Sequence, residues 1–248
     1  MFDSRFETFL ADTDLSKRIH YQIRYRIFCI DTGFEDPTAF RIDEERDRWD
    51  DHAIHFLVRE KATRQWVATM RLVLSDGAAF PVETLCELSS PEGVRQNRGV
   101  SGEVSRLCMV KQYRGRQGSS FPQNQLFSGS SEDPQLACIS DGLNRRAEPE
   151  IMLGLFRAAF AYSQEYSVDR WYFLVTPALA RMVNRLGISL EQIGSEVRHR
   201  GIRIPYVTDP AIGRRETMLK SEAIADMLTR DVPHYRFFSE LGLDHKVA

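Results

Sequence analysis

The sequence predicts a single α/β domain built on a central sheet. Three observations predict it. Apolar residues recur at helical spacing in Leu15–Cys29 and again over Pro149–Tyr166. Runs rich in β-favouring residues stand at Ala53–Arg59, Trp66–Leu74, Gly102–Val110 and Trp171–Thr176. Helices and strands alternate in a mixed order without internal repeats, which favours one sheet covered by helices over two separate units. Residues 1–248 are therefore read as one domain, interrupted by a flexible insertion at 115–148.

Taken in order, the opening helix is marked by Ile19, Ile23 and Ile27. A loop with Gly33 and Pro37 covers Asp31–Phe40, and an acidic run, Asp43–Asp51, follows it. The next two strands are joined by charged turn material, Glu60–Arg64, and read as a hairpin. After a polar loop comes the third strand, Gly102–Val110. Gly115–Glu148 is rich in Gly, Ser, Pro and Gln and reads as a long excursion or flap. Pro149 then sits in the first turn of a strong helix. A strand at Trp171–Thr176 leads to a helix, Pro177–Leu186, that stops at Gly187. Two strands are expected within Ile188–Val207, turning near His199–Gly201, and the tail holds a helix over Glu216–Leu228.

With 42% hydrophobic and 27% charged residues, the chain has enough apolar material for a sizeable core. A net charge of −2 gives no global attraction to nucleic acid or membrane, so any acidic partner must be met by a local patch. No apolar run approaches a spanning helix, and Met1–Glu7 has no signal-peptide character. A cytoplasmic protein without stable membrane insertion is the expectation. The four cysteines form no C-x-x-C pair and read as reduced core or loop thiols.

Chemistry concentrates between Arg24 and Arg106. Glu103 and Arg106 interrupt an otherwise apolar strand, where charges are costly unless they pair or serve a reaction. Residues three apart on a strand face opposite ways, so the two share a face only across a bulge. One reading is a buried ion pair with Asp47, Asp50 or Arg71. The other is a carboxylate that takes a proton from an amine. The acidic run Glu44, Glu45, Asp47, Asp50 and Asp51 is ordinarily a solvated loop. Trp49 and the apolar strand that follows argue that some of these acids reach the core rim. His52 and His55 lie close by, but their spacing is not that of a helical zinc motif, and no metal is expected. The turn Val110–Gly115 exposes backbone N–H groups among basic residues and suits a phosphate or pyrophosphate. Neither a G-x-S-x-G elbow nor a nucleotide-binding glycine motif occurs. Arg198, His199, Arg200 and Arg203 around Gly201 read either as a solvated turn or as a basic landing site for an acidic partner or a phosphopantetheine arm.

Together these residues resemble the acyl-homoserine-lactone (autoinducer) synthases and the long-chain N-acyl amino acid synthases. The matching pieces are R-x-x-x-F at Arg24–Phe28, E-x-D-x-W-D at Glu45–Asp50, Arg71–Leu72, Phe80–Pro81 and E-x-S-R at Glu103–Arg106. The second half is similar to the PEP-CTERM/exosortase system-associated acyltransferases, through MVNRLGISLEQIGSEVRHRGIRIPY and its closing Gly-x-Arg-x-Pro-Tyr at Gly201–Tyr206.

The resemblance implies a GNAT-like (acyl-CoA N-acyltransferase) fold: a mixed central sheet with splayed middle strands, flanked by helices. It implies direct aminolysis of an acyl thioester, with a long acyl group passing to an amino acid or similar small amine. No tightly bound cofactor is implied; acyl carrier protein, or coenzyme A, brings the acyl group as co-substrate. Glu103 would be the general base with Arg106 beside it. Arg24, Phe28 and Trp49 would shape the acceptor side, with Glu45 and Phe80 also in the substrate-binding set. Asp47, Asp50, Arg71 and Arg106 would hold that side through ion pairs. Met109, Val110, Gln112, Arg114 and Gly115 would receive the thioester and pantetheine, with main-chain N–H groups after Met109 polarising the carbonyl. Two departures shape the expectation. The autoinducer synthases have a tryptophan where Gly33–Phe34 stands, which argues against S-adenosylmethionine as acceptor. The signature Q/R-x-x-G-x-G/A is met at Gln112 and Gly115 but ends in Gln117, which favours acyl carrier protein over coenzyme A. The competing readings are an acyl-homoserine-lactone synthase, an acetyl-coenzyme A acetyltransferase, and a non-catalytic acyl-carrier or lipid-binding module.

Overall fold

The structure, a computed structural model, describes residues 2–75, 77–113 and 147–243. Its strands are β1 (Phe6–Leu10), β2 (Ala53–Glu60), β3 (Trp66–Leu74), β4 (Ser101–Met109), β5 (Arg170–Val175), β6 (Glu191–Gln192), β7 (Val197–Arg198), β8 (Ile202–Thr208) and β9 (Arg236–Phe237). They lie in the order β6-β8-β5-β4-β3-β2-β1-β9, with β7 a short ribbon on β8. The β4–β5 and β1–β9 pairs are parallel and the other pairs antiparallel.

β2 and β3 are nearly continuous buried runs because both faces of the sheet are covered there. One cover is the helix Ala147–Glu165, which buries Ile151, Leu155, Phe156 and Ala159 against β1, β2 and β3. Its Phe160 ring stacks on Trp171 of β5 at 5.0 Å, and the indole N–H donates to Ser163 Oγ at 2.9 Å. Among the described residues, no helix is long and apolar enough to cross a membrane.

Gly154 lies inside that helix, where glycine ordinarily costs about 1 kcal/mol relative to alanine. Here the sign reverses, because a Cβ would stand 2.1 Å from the ring of the fully buried Phe2. Gly154→Ala is expected to destabilise the fold by about 1–3 kcal/mol in urea unfolding, the usual cost of overpacking.

The expected helices and strands are present, with several differences. Residues 2–10 form a short helix and β1, which composition did not mark. Glu7 interrupts the apolar pattern there, and pairing with β2 supplies the stability. The opening helix is regular only over Asp14–Arg24, then widens into a π-helical stretch, Tyr25–Asp31. The polar loop before β4 contains two short Pro-initiated helices, Pro81–Leu85 and Pro91–Gln96. The tail carries two helices, Pro210–Met218 and Glu222–Thr229, because Asp209 and Ser221 each cap a new start. Of the expected excursion, Ala147 and Glu148 belong to the long helix, and residues 115–146 lie outside the described residues.

Two irregularities set up the centre of the sheet. β4 pairs with β5 only from Ser101↔Arg170 to Val104↔Phe173, although both strands continue beyond that point. On its other edge, β4 holds one more residue than β3 between the Thr69↔Cys108 and Arg71↔Ser105 pairs. The extra residue falls at Arg106, whose φ of 51° is left-handed.

Candidate active site

The bulge settles how an acid and an arginine three apart can act together. The additional residue shifts the alternation by one, so Arg106 joins Ser105 and Glu103 on the cavity side of β4. The price is a left-handed arginine, about 1–2 kcal/mol, and several ion pairs hold it in place.

Those ion pairs form one network. The helix Asp14–Arg24 delivers a fully buried Arg24, which donates to Asp50 at 2.6 Å and 3.1 Å and, through Nε, to Glu45. The acidic loop is tied to this helix by Glu45 N–H donating to the Tyr21 carbonyl at 3.1 Å. Arg71 of β3 donates to Asp47 at 2.7 Å, Asp50 at 2.8 Å and Ser105 Oγ at 3.0 Å. Arg106 reaches Glu45 at 2.8 Å and Asp47 at 3.0 Å. His55 shares Asp50 at 3.0 Å. Burial alone would raise both acids, but it is outweighed. The charges of Arg24 and Arg106 hold Glu45 at about 2, and the His55 hydrogen bond with Arg24 and Arg71 takes Asp50 well below the carboxylate range.

Glu103 is treated differently. It is 2% exposed, and it accepts one hydrogen bond, from Val82 N–H at 2.8 Å. No guanidinium lies within ion-pair distance of it among the described residues. Burial therefore dominates and pushes its carboxyl up to about 8, against the weaker pull of that hydrogen bond and of the Arg71 and Arg106 charges. A carboxyl that titrates near neutrality is suited to accept and return a proton.

Glu103, Ser105 and Arg106 open onto a cavity of about 380 Å³, a size suited to a small organic ligand. Its polar end is lined by Phe28, Phe34, Glu35, Glu45, Arg46, Asp47 and Trp49, with His199 and Arg200 of the β7–β8 turn and Arg203 at the start of β8. The π-helical stretch ends the regular turn just before Phe28, and Phe28 C=O accepts from Phe34 N–H at 2.7 Å and Glu35 N–H at 3.1 Å. That fold-back brings Phe34 and Glu35 to the rim. The apolar end lies in the gap between β4 and β5, against Leu107, Phe173 and Val175, and reaches Leu179 and Val183 of the helix Pro177–Leu186.

Of the residues singled out by sequence, Phe28, Glu45, Asp47, Trp49, Arg71, Glu103 and Arg106 line this cavity. Arg24 and Asp50 are buried beneath its polar wall. Phe80 does not reach it: it packs on Tyr172 at 5.6 Å in a separate core cluster, and its neighbour Pro81 lines the cavity instead. Met109 belongs to the main core, and Val110 N–H is spent on the Val67 carbonyl at 2.9 Å, so neither fits the carbonyl-polarising role. The unpaired stretch of β4 starts earlier, after Val104. Gln112 is exposed in a 3₁₀ turn, and Arg114 and Gly115 lie outside the described residues. Sequence reasoning gave no site role to Glu35 and Phe34, whose positions depend on the π-helical turn, or to Ser105, although two-residue alternation alone places it on the face of Glu103. It flagged the basic turn around Gly201 without joining it to this pocket.

A sheet splayed between parallel central strands, with a bulged β4 at the opening, identifies the architecture. The chain has the GNAT fold. Residues 23–122 match the family described as acetyltransferase (GNAT) domain. Solved structures similar to this one include TofI, determined in a ternary complex with an inhibitor and MTA, at 16% identity over 88% of this chain and 99% of that chain, TM-score 0.56. MesI, a CoA-dependent acyl-homoserine lactone synthase, is 18% identical over 86% of this chain and 95% of that one, TM-score 0.53. FeeM, an N-acyl amino acid synthase from uncultured soil microbes, is 15% identical over 87% of this chain and 98% of that one, TM-score 0.51. No curated protein matches the sequence. At these identities the likeness concerns the GNAT fold, and the activity has to be argued from the site.

Proposed function

We propose that this protein is an N-acyltransferase that moves a long acyl group from a thioester, carried by acyl carrier protein, to the amine of an amino acid or similar small acceptor. The observation that carries the reading is Glu103, a buried carboxylate without an ion-pair partner among the described residues, facing a cavity where two parallel strands part. In a protein core such a group is a liability, and beside a cavity it is a base.

The polar end receives the acceptor amine and the apolar gap receives the acyl chain. The amine nitrogen attacks the thioester carbon as its proton passes to Glu103. The C–N bond forms, the C–S bond breaks, and the departing sulfur takes up the proton, so none is gained or lost overall. Main-chain N–H groups of β4 beyond Val104, on the edge that β5 leaves, are the candidates to polarise the carbonyl. Direct transfer is supported by the thiols among the described residues: burial raises Cys29 and Cys86 to about 11, and Cys108 Sγ is paired with Thr69 Oγ1 at 3.0 Å. The Gly201–Tyr206 stretch supports the exosortase-associated branch within this fold.

The test incubates the protein with decanoyl and hexadecanoyl thioesters of acyl carrier protein and of coenzyme A, together with each free amino acid. N-acyl amino acids are expected by mass spectrometry, most from the carrier-protein thioesters. Release of free fatty acid alone, or consumption of acetyl-coenzyme A in preference to long thioesters, would overturn the reading.

A further inference from the structure

Among the described residues, charge pairing at the polar end leaves two arginines without a carboxylate: Arg46, exposed and 6.0 Å from the Tyr21 ring, and Arg203, which is partly withdrawn from water. The carboxylates of Glu35, Glu45, Asp47 and Asp50 are shared among Arg24, Arg71, Arg106 and Arg200, with Arg200 reaching Glu35 at 2.5 Å. Arg203 has none. It donates Nε–H to the His199 carbonyl at 3.3 Å and one terminal N–H to the Arg200 carbonyl at 3.4 Å, contacts to the turn that precedes it. Its guanidinium stands 6.0 Å from the centre of the Phe34 ring and lines the same cavity as Glu103. Among the described residues no carboxylate lies within ion-pair distance of it.

An arginine half withdrawn from water beside Arg200 and Arg106 is costly, and its pKa is lowered by burial first and by those two charges next. An anion entering the cavity would relieve that cost. The guanidinium still has N–H groups to give, in the planar fork that matches a carboxylate. Turn contacts on one side and Phe34 on the other hold the fork in place, which lowers the entropy lost on binding.

We propose that Arg203 is the binding residue for the carboxylate of the acceptor, so that the site selects α-amino acids over amines lacking a free carboxylate. This rests on the N-acyltransferase reading for the identity of the ligand. Its test is a binding measurement that needs no turnover.

Thermal-shift titrations with N-decanoyl amino acids and their matched carboxamides supply the probes, since each spans both ends of the cavity. In the unsubstituted protein at least one acid is expected to bind about 10- to 100-fold more tightly than its carboxamide, the usual range for a hydrogen-bonded charge. Arg203→Gln is expected to abolish that preference while leaving carboxamide binding unchanged, and Arg203→Lys to keep part of it. Equal binding of acid and carboxamide in the unsubstituted protein, a preference that survives Arg203→Gln, or no binding of either probe would overturn the proposal. If Arg203→Gln instead weakens binding of coenzyme A, measured alone, and leaves the acid preference intact, the cation serves a donor phosphate and the proposal falls. A clear acid preference in a protein that makes no N-acyl product would keep the carboxylate site and remove the transferase reading.

Discussion

Glu103→Gln is expected to lower kcat by about 10²- to 10⁴-fold, the range for losing a positioned general base, while the protein stays folded. Gln keeps the shape and the acceptor oxygen for Val82 N–H but cannot take a proton. The pH dependence separates this role from a packing role. Because burial raises Glu103 to about 8, only a minor fraction is ionised at neutrality, and kcat of the unsubstituted protein should rise with pH through a midpoint near 8. That midpoint should be missing from the residual rate of the variant. Stability should respond in the opposite direction. Below the ordinary value of 4.5 both folded and unfolded chains hold the Glu103 proton, and its contribution is fully present. Between 4.5 and about 8 the unfolded chain releases the proton while the folded chain retains it, so stability falls as pH rises. Glu103→Gln escapes this loss, and its melting temperature should gain on the parent protein across that window. Undiminished aminolysis in the variant would remove Glu103 from the reaction.

Asp50→Ala is expected to cost about 3–5 kcal/mol in urea unfolding, enough to unfold a marginal domain. Asp50 lies between Arg24 and Arg71 with side-chain exposures of 1%, 0% and 1%, so removing it leaves two buried guanidiniums with only Glu45 and Asp47 to balance them and takes the partner of His55. It also accepts Asp47 N–H at 2.7 Å, so the acidic loop loses its anchor. The contrast is the ion pair Glu92–Arg95, whose side chains are 67% and 61% exposed. Glu92→Ala there should change stability by no more than about 0.5 kcal/mol, as screening and side-chain entropy cancel most of an exposed pair. Equal losses at the two sites would mean that the buried network does not carry the polar wall.

Much of this site was legible because its residues break a local pattern. An acid and an arginine in an apolar strand, and an acidic run leading into a sheet, require partners on energetic grounds alone. Those partners proved to be one another: Arg24 with Asp50, Arg71 with Asp47, Arg106 with Glu45. Phe80 was misplaced because an aromatic before a proline looks alike whether it faces a cavity or a second core. Met109 and Val110 were misplaced because counting along a strand does not reveal where its neighbour leaves it. The N-terminal strand was overlooked for a related reason: a five-residue segment with a charge at its second position is stabilised by its pairing with β2, not by its own propensity.

Sequence alone therefore determined the α/β class, the main helices and strands, and the set of charges that had to meet, since periodicity and the cost of burying charge are local properties of the chain. Only the tertiary structure decided, among the described residues, which cavity carboxylate was left without a cation and which partly buried arginine was left without a carboxylate. Glu103 and Arg203 are far apart in sequence and line one cavity. Pairing is a matter of distances across the sheet, and a single extra residue at Arg106, together with the parting of β4 from β5 after Val104, sets those distances.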